Sequence, residues 1–140
     1  SFGNGKSDVW LVKTDSDGNE EWNKTFGGSD DDVGYSVKQT DDLGFIITGH
    51  TLKSVGSVHN LLLIKTDSNG EIEWERKIGD GSEVQGYDVI ISYDLNNKHD
   101  GYVIVGYSNQ YTQRSSMVIW KTDPNGLISD TKTRIIEILN

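Results

Sequence analysis

Three aspartates in a row, Asp30, Asp31 and Asp32, follow Ser29 and the glycine pair Gly27 and Gly28. Clustered carboxylates are the usual oxygen ligands of Ca2+, which takes about six to eight of them. Calcium is therefore the cation this stretch could serve. The corresponding stretch fifty-two residues later, Asp80 to Gln85, keeps fewer acids, which favours solvated loop carboxylates. Asp15-Ser16-Asp17-Gly18 also begins like a calcium loop, but it lacks a third acid and a distal Glu. His50, His59 and His99 have no spacing of the kind that places two imidazoles on one helix face, so zinc is not expected. No G-x-S-x-G elbow occurs and no Ser, His and Asp set recurs. Acidic pairs are common enough that they give no positive support for a two-carboxylate hydrolase. The expectation is a protein that is not an enzyme. Aromatic residues point instead to binding: Tyr107 and Tyr111, with Arg114, lie near Asn109 and Gln110 in or beside a long connection.

The elements that must position these residues repeat. Leu11 to Trp22 (LVKTDSDGNEEW) returns as Leu63 to Trp74 (LIKTDSNGEIEW), identical at eight of twelve positions with an offset of 52. A third copy begins at Ile119 (IWKTDPNG), 56 residues further on. A period near fifty, filled with strand-like sequence, is the signature of repeat architectures such as β-propellers. Each unit holds four segment types: Val9–Thr14, Asn19–Phe26, Tyr35–Thr40 and Phe45–Gly49, with later counterparts. The first and fourth types are continuous apolar runs, as expected of strands covered on both faces. The second and third alternate, with Ile72, Trp74 and Ile78 on one face and Tyr87, Val89 and Ile91 on one face. The expected sheet is a meander in the order third, fourth, first, second. Residues 1–140 then form one repeat-built domain: a half blade (1–28) and two blades (34–80 and 86–139). A half blade predicts either missing upstream blades or oligomerisation, since an open apolar sheet edge invites association.

Turn chemistry fits this framing. Asp15–Gly18, Asp67–Gly70 and Asp123–Gly126 each end in Gly, and Pro124 suits the second position of a type I turn. The expected connection is a three-residue loop with the glycine in a left-handed bulge. Trp22 and Trp74 are expected to pack between sheets, and Trp10 and Trp120 to lie in the core. The extra residues around Asn96–His99 are expected to form a surface loop. In the third unit the Trp position becomes Asp130, an atypical end of the kind a stacked array shows.

Composition narrows the partners. A net charge of −9 excludes the basic footprint that nucleic acid requires, and it disfavours anionic membranes. No apolar run approaches the roughly 18 residues of a membrane span. No signal-peptide pattern opens the sequence, and there is no cysteine for disulfide or thiolate chemistry.

The pieces KTDSDGNEEWNKTFGGSDDDVGYSV and GFIITGHT resemble a tandem-repeat family on microbial, notably archaeal, cell surfaces. Its blades carry a KTDSNGN-x-x-W turn, a GGS-x-D-D stretch, a GYSV strand and a glycine-bounded apolar strand. The likeness covers nearly all of residues 7–126. More distantly, Gly18–Trp22 and Gly70–Trp74 resemble the Gly-x-x-x-Trp spacing of quinoprotein propellers, a likeness of fold only. The resemblance implies a β-propeller with an extracellular or cell-surface location. The expected function is a non-catalytic scaffold for adhesion or protein interaction. The alternatives are a purely architectural surface-assembly repeat and a lectin-like propeller. The partner would be a protein or a surface glycan, and no cofactor is expected apart from calcium.

Overall fold

A computed structural model describes residues 7–52, 58–79, 81–109 and 116–128, and the backbone of 134–136. The described residues are all-β. Their strands are β1 (Val9–Thr14), β2 (Glu20–Phe26), β3 (Asp31–Gln39), β4 (Phe45–Leu52) and β5 (His59–Thr66). They continue as β6 (Ile72–Ile78), β7 (Val84–Tyr93), β8 (His99–Ser108), β9 (Ser116–Lys121) and β10 (Arg134–Ile136). All pairings are antiparallel. The first sheet is β1-β2, the second is β3-β4-β5-β6 and the third is β7-β8-β9-β10. The meander order read from the apolar patterns is therefore the observed one.

Alternation of side chains along each strand explains how three sheets share two cores. In the second sheet Ile47, Leu62 and Ile64 face the first sheet and meet Val9, Phe26 and Leu11. Their neighbours Ile46, Leu61 and Leu63 face the third sheet and meet Val84, Val89, Tyr102, Ile104, Val118 and Trp120. The continuous apolar runs of β4 and β5 arise because both of their faces are covered. Each fully buried Leu or Ile contributes about 2 kcal/mol relative to exposure.

The recurring turn is a three-residue loop, as its glycine and Pro124 imply. Gly18 N–H donates to the Asp15 carbonyl, and Asp15 N–H donates to the Asn19 carbonyl. Gly18, Gly70 and Gly126 have φ of 86°, 78° and 76°, a region that favours glycine. The Asp15 carboxylate accepts the N–H groups of Asp17 and Asn19. Asp67 and Asp123 do the same in the later copies. The Asn19 side chain, which also donates to Asp15, and then the Asn19 backbone N–H pull the Asp15 carboxyl below the ordinary range, and the Glu71 N–H above all does so for Asp67. Asp94 builds a further turn of this kind, with Asn97 at φ 59° in the glycine position.

Four expectations are corrected. Trp10 is 65% exposed, because its face of β1 has no sheet against it among the described residues, while Trp120 is buried as expected. Ile72 is exposed because the register shifts next to it, between Lys65 and Thr66, which takes it out of phase with Trp74. Tyr87 leaves the Val89 face because the register shifts between Gly86 and Asp88. The extra residues near Asn96 lengthen the β7-β8 hairpin, so His99 belongs to β8 and packs edge to face against Tyr102. Only the turn at its tip, with Leu95 fully exposed, is a surface loop.

Candidate functional site

Antiparallel meanders send successive connections to alternate ends. The Asp-Gly turns and the Thr40–Gly44 turn occupy one end, where carboxylates are consumed by their own backbone. The opposite end carries the starts of β3, β5 and β7 and the finishes of β4, β6 and β8. The Asp30–Asp32 stretch and Tyr107 lie at this end, although its strands run further than the sequence implied.

The Asp30–Asp32 stretch illustrates this. Asp31 and Asp32 belong to β3, paired with Leu52 and Thr51, instead of lying in a loop. Successive strand residues point to opposite faces, so their carboxylates diverge. Asp32 is 1% exposed and accepts the Gly28 N–H through one oxygen at 3.1 Å. Its other oxygen lies 3.9 Å from the Lys77 ammonium. Among the described residues no group of three or more acidic or imidazole side chains is arranged to hold a metal ion. Of the ligand-binding candidates, Tyr107 lies within β8, while Tyr111 and Arg114 fall outside the described residues.

Residues to which the sequence assigned no binding role form the dense part of this end. His50 on β4 and His59 on β5 meet edge to face, with ring centroids 4.4 Å apart. His59 Nδ1 pairs with Glu83, and the His59 backbone N–H donates to the other Glu83 oxygen at 3.2 Å. Gln85 donates to Glu83 at 2.8 Å, and Asn109 Oδ1 accepts the Glu83 N–H at 2.8 Å. Glu83 thus ties the second sheet to the third. On its other side His50 touches Tyr35 at 5.3 Å, and Tyr35 meets Tyr87 at 5.6 Å. A row of rings therefore runs from Tyr87 through Tyr35 and His50 to His59.

The electrostatics follow from this packing. Burial, then the neighbouring His59 ring, lowers the His50 pKa, outweighing the opposite pull of Glu83, Asp32 and Asp31. Burial works against the Glu83 carboxylate, but hydrogen bonds from Gln85 and His59 prevail and lower its pKa. Burial, reinforced by Tyr35 and Tyr107, raises the Tyr87 phenol. The arrangement offers aromatic faces with one tied carboxylate, a chemistry suited to contact and hydrogen bonding. One signal in the sequence could have found it: the Gly-Tyr pair repeats at 34–35 and 86–87, and each pair sits at a β-bulge that turns the tyrosine outward.

A shallow cleft of about 440 Å3 opens beside this end, between β1 and β3. Val9, Leu11, Val37 and Ile47 line it, together with Asp32. No protein-family model matches the chain, and no curated protein matches it.

Proposed function

We propose that this chain forms a β-propeller-like repeat scaffold of the extracellular or cell-surface kind, and that it binds protein partners without catalysis. The observation that supports this most is the contrast between its two ends. At the hairpin end Asp15, Asp67, Asp94 and Asp123 serve their own turns. At the other end Tyr35 and Tyr87, both 49% exposed, stand in a row on rigid strands. Tyrosine offers large contact area with a polar tip at low entropic cost, the property that enriches it in interfaces. The propeller reading draws support from the four-strand meanders stacked face to face and from the spacing of their turns. The surface location rests on the resemblance of the repeated motifs.

Screening the purified chain against a displayed-peptide library and a glycan array tests the binding reading. Peptide ligands are expected, with affinity about tenfold weaker for the Tyr35→Ala/Tyr87→Ala double variant. Leu95→Ala, at the far hairpin tip, is expected to change nothing. Ligands confined to glycans, or binding indifferent to the double variant, would overturn it.

A further inference from the structure

The two outer sheets leave uncovered the same register positions that are covered inside the stack. Aligning Lys13, Lys65 and Lys121 makes Trp10, Leu62 and Val118 equivalent, and likewise Val12, Ile64 and Trp120. Leu62 and Ile64 are buried against the first sheet, and Val118 and Trp120 against the second. Trp10 and Val12 point the same way from the first sheet and are exposed, Trp10 at 65%. The opposite face repeats the pattern. Val9 packs against the second sheet and Leu61 against the third, yet their counterpart Met117 is 42% exposed. Around Met117 the outer face of the third sheet continues with Tyr87, Val105 and Tyr107, which line a shallow groove. Ile90, half exposed and paired with Val103, lies on the same face by strand alternation.

Each end of the stack is therefore one half of an interface whose complete form occurs twice within the chain. The halves are different, so neither is complementary to itself. A front face, of the Val9/Leu11 and Leu61/Leu63 kind, receives a back face of the Leu62/Ile64 and Val118/Trp120 kind. We propose that a second copy of the chain completes it: the Trp10/Val12 face of one copy seats on the Met117/Ile119 face of another, head to tail. Such a contact is heterologous, so it grows into a ring where the rotation closes and a filament where it does not. Trp22 packs against Phe45 and beneath Gly70, and Trp74 against Tyr102 and beneath Gly126, clasping the internal joints, and the third unit has Asp130 at that position. The joint between copies consequently lacks the clasp and is weaker than the joints within. The inference goes beyond the binding reading and requires only the observed packing of sheet on sheet.

Sedimentation velocity of the intact chain over a concentration series tests it with two single-face variants, Trp10→Asp and Met117→Asp. The unaltered chain is expected to grow past a dimer with concentration, and each variant alone to stay monomeric. Mixed in equal amounts, the two variants are expected to form a heterodimer that grows no further, because each retains one competent face. Circular dichroism spectra and melting temperatures like those of the unaltered chain confirm folding. Should either variant not fold, Trp10→Gln and Met117→Gln replace them. A chain that stays monomeric throughout overturns the proposal. So does a mixture that stays monomeric, or one variant that dimerises alone through a face pairing with itself.

Discussion

His50 shows how a single residue acquires its chemistry from neighbours the sequence does not place beside it. Its ring is buried between Tyr35 and His59, and one of its ring nitrogens has no hydrogen-bond partner. The lowered pKa has a definite consequence for stability. As pH falls below the ordinary value of 6.5, the unfolded chain takes up a proton on His50 before the folded chain does. Stability contributed by the neutral ring is full above 6.5 and is lost as pH falls toward the lowered folded value. Melting temperature against pH should therefore decline on that side of 6.5, and His50→Phe, which keeps an aromatic ring there, should flatten the decline. A variant with the unaltered pH profile would show that the His50 environment does not control it. Lys65 gives the opposite lesson. It is buried, and it binds Asp42 at 2.8 Å and Glu73 at 2.9 Å. Burial pushes the Asp42 carboxyl up, yet hydrogen bonds from Lys65, Thr40 and Gly44 hold it at about 2. The lysine of the recurring Lys-Thr-Asp motif thus anchors strands to turns, a structural role.

At the scale of elements, the recurring turn proves to be half of a clasp. The Trp22 ring packs edge-on against Phe45 of the second sheet, and Trp74 packs against Tyr102 of the third. The turn glycine of the following sheet sits directly on each indole. A Cβ at Gly70 would lie 2.9 Å from the Trp22 ring, and one at Gly126 would lie 2.6 Å from the Trp74 ring. Gly18 has the same backbone conformation but nothing within 4 Å. The two demands on glycine separate cleanly. Gly18→Ala should cost about 1 kcal/mol, from left-handed backbone alone. Gly126→Ala should cost about 2 kcal/mol more, because Trp74 must also move. Urea unfolding of both variants measures the difference, and equal losses would dismiss the clasp. Sequence periodicity located the glycine and the tryptophan, but their meeting crosses from one unit to the next. That contact is between the Trp of one copy and the Gly of the following copy, so no single motif contains it.

For the whole molecule, stability is set by how many neighbours each sheet has, because stacked units contact only adjacent ones. The second sheet has two neighbours and the outer sheets have one each among the described residues. Amide hydrogen exchange should accordingly be slowest at Ile46, Ile47 and Leu61–Ile64, whose side chains are all buried. It should be faster along β1, where exposed and half-buried positions follow Val9. Uniform protection across all three sheets would mean a single cooperative unit instead of a graded stack.

Strand number, order and turn type were legible in the sequence because they depend on local periodicity, on the positive φ that glycine alone adopts freely and on the φ that proline fixes. The apolar continuity of β4 and β5 even announced that both faces would be covered. Strand limits were less legible: Asp31 and Asp32 join β3 because Leu52 and Thr51 pair with them across the sheet. The row of Tyr87, Tyr35, His50 and His59, with Glu83 tying it to the next sheet, came only from tertiary structure. Those residues lie up to fifty-two positions apart, and the stacking of one sheet on another is what brings them within contact. The same stacking decides which apolar faces are covered, so Trp10 and Trp120, alike in composition and in strand type, end on opposite sides of that division.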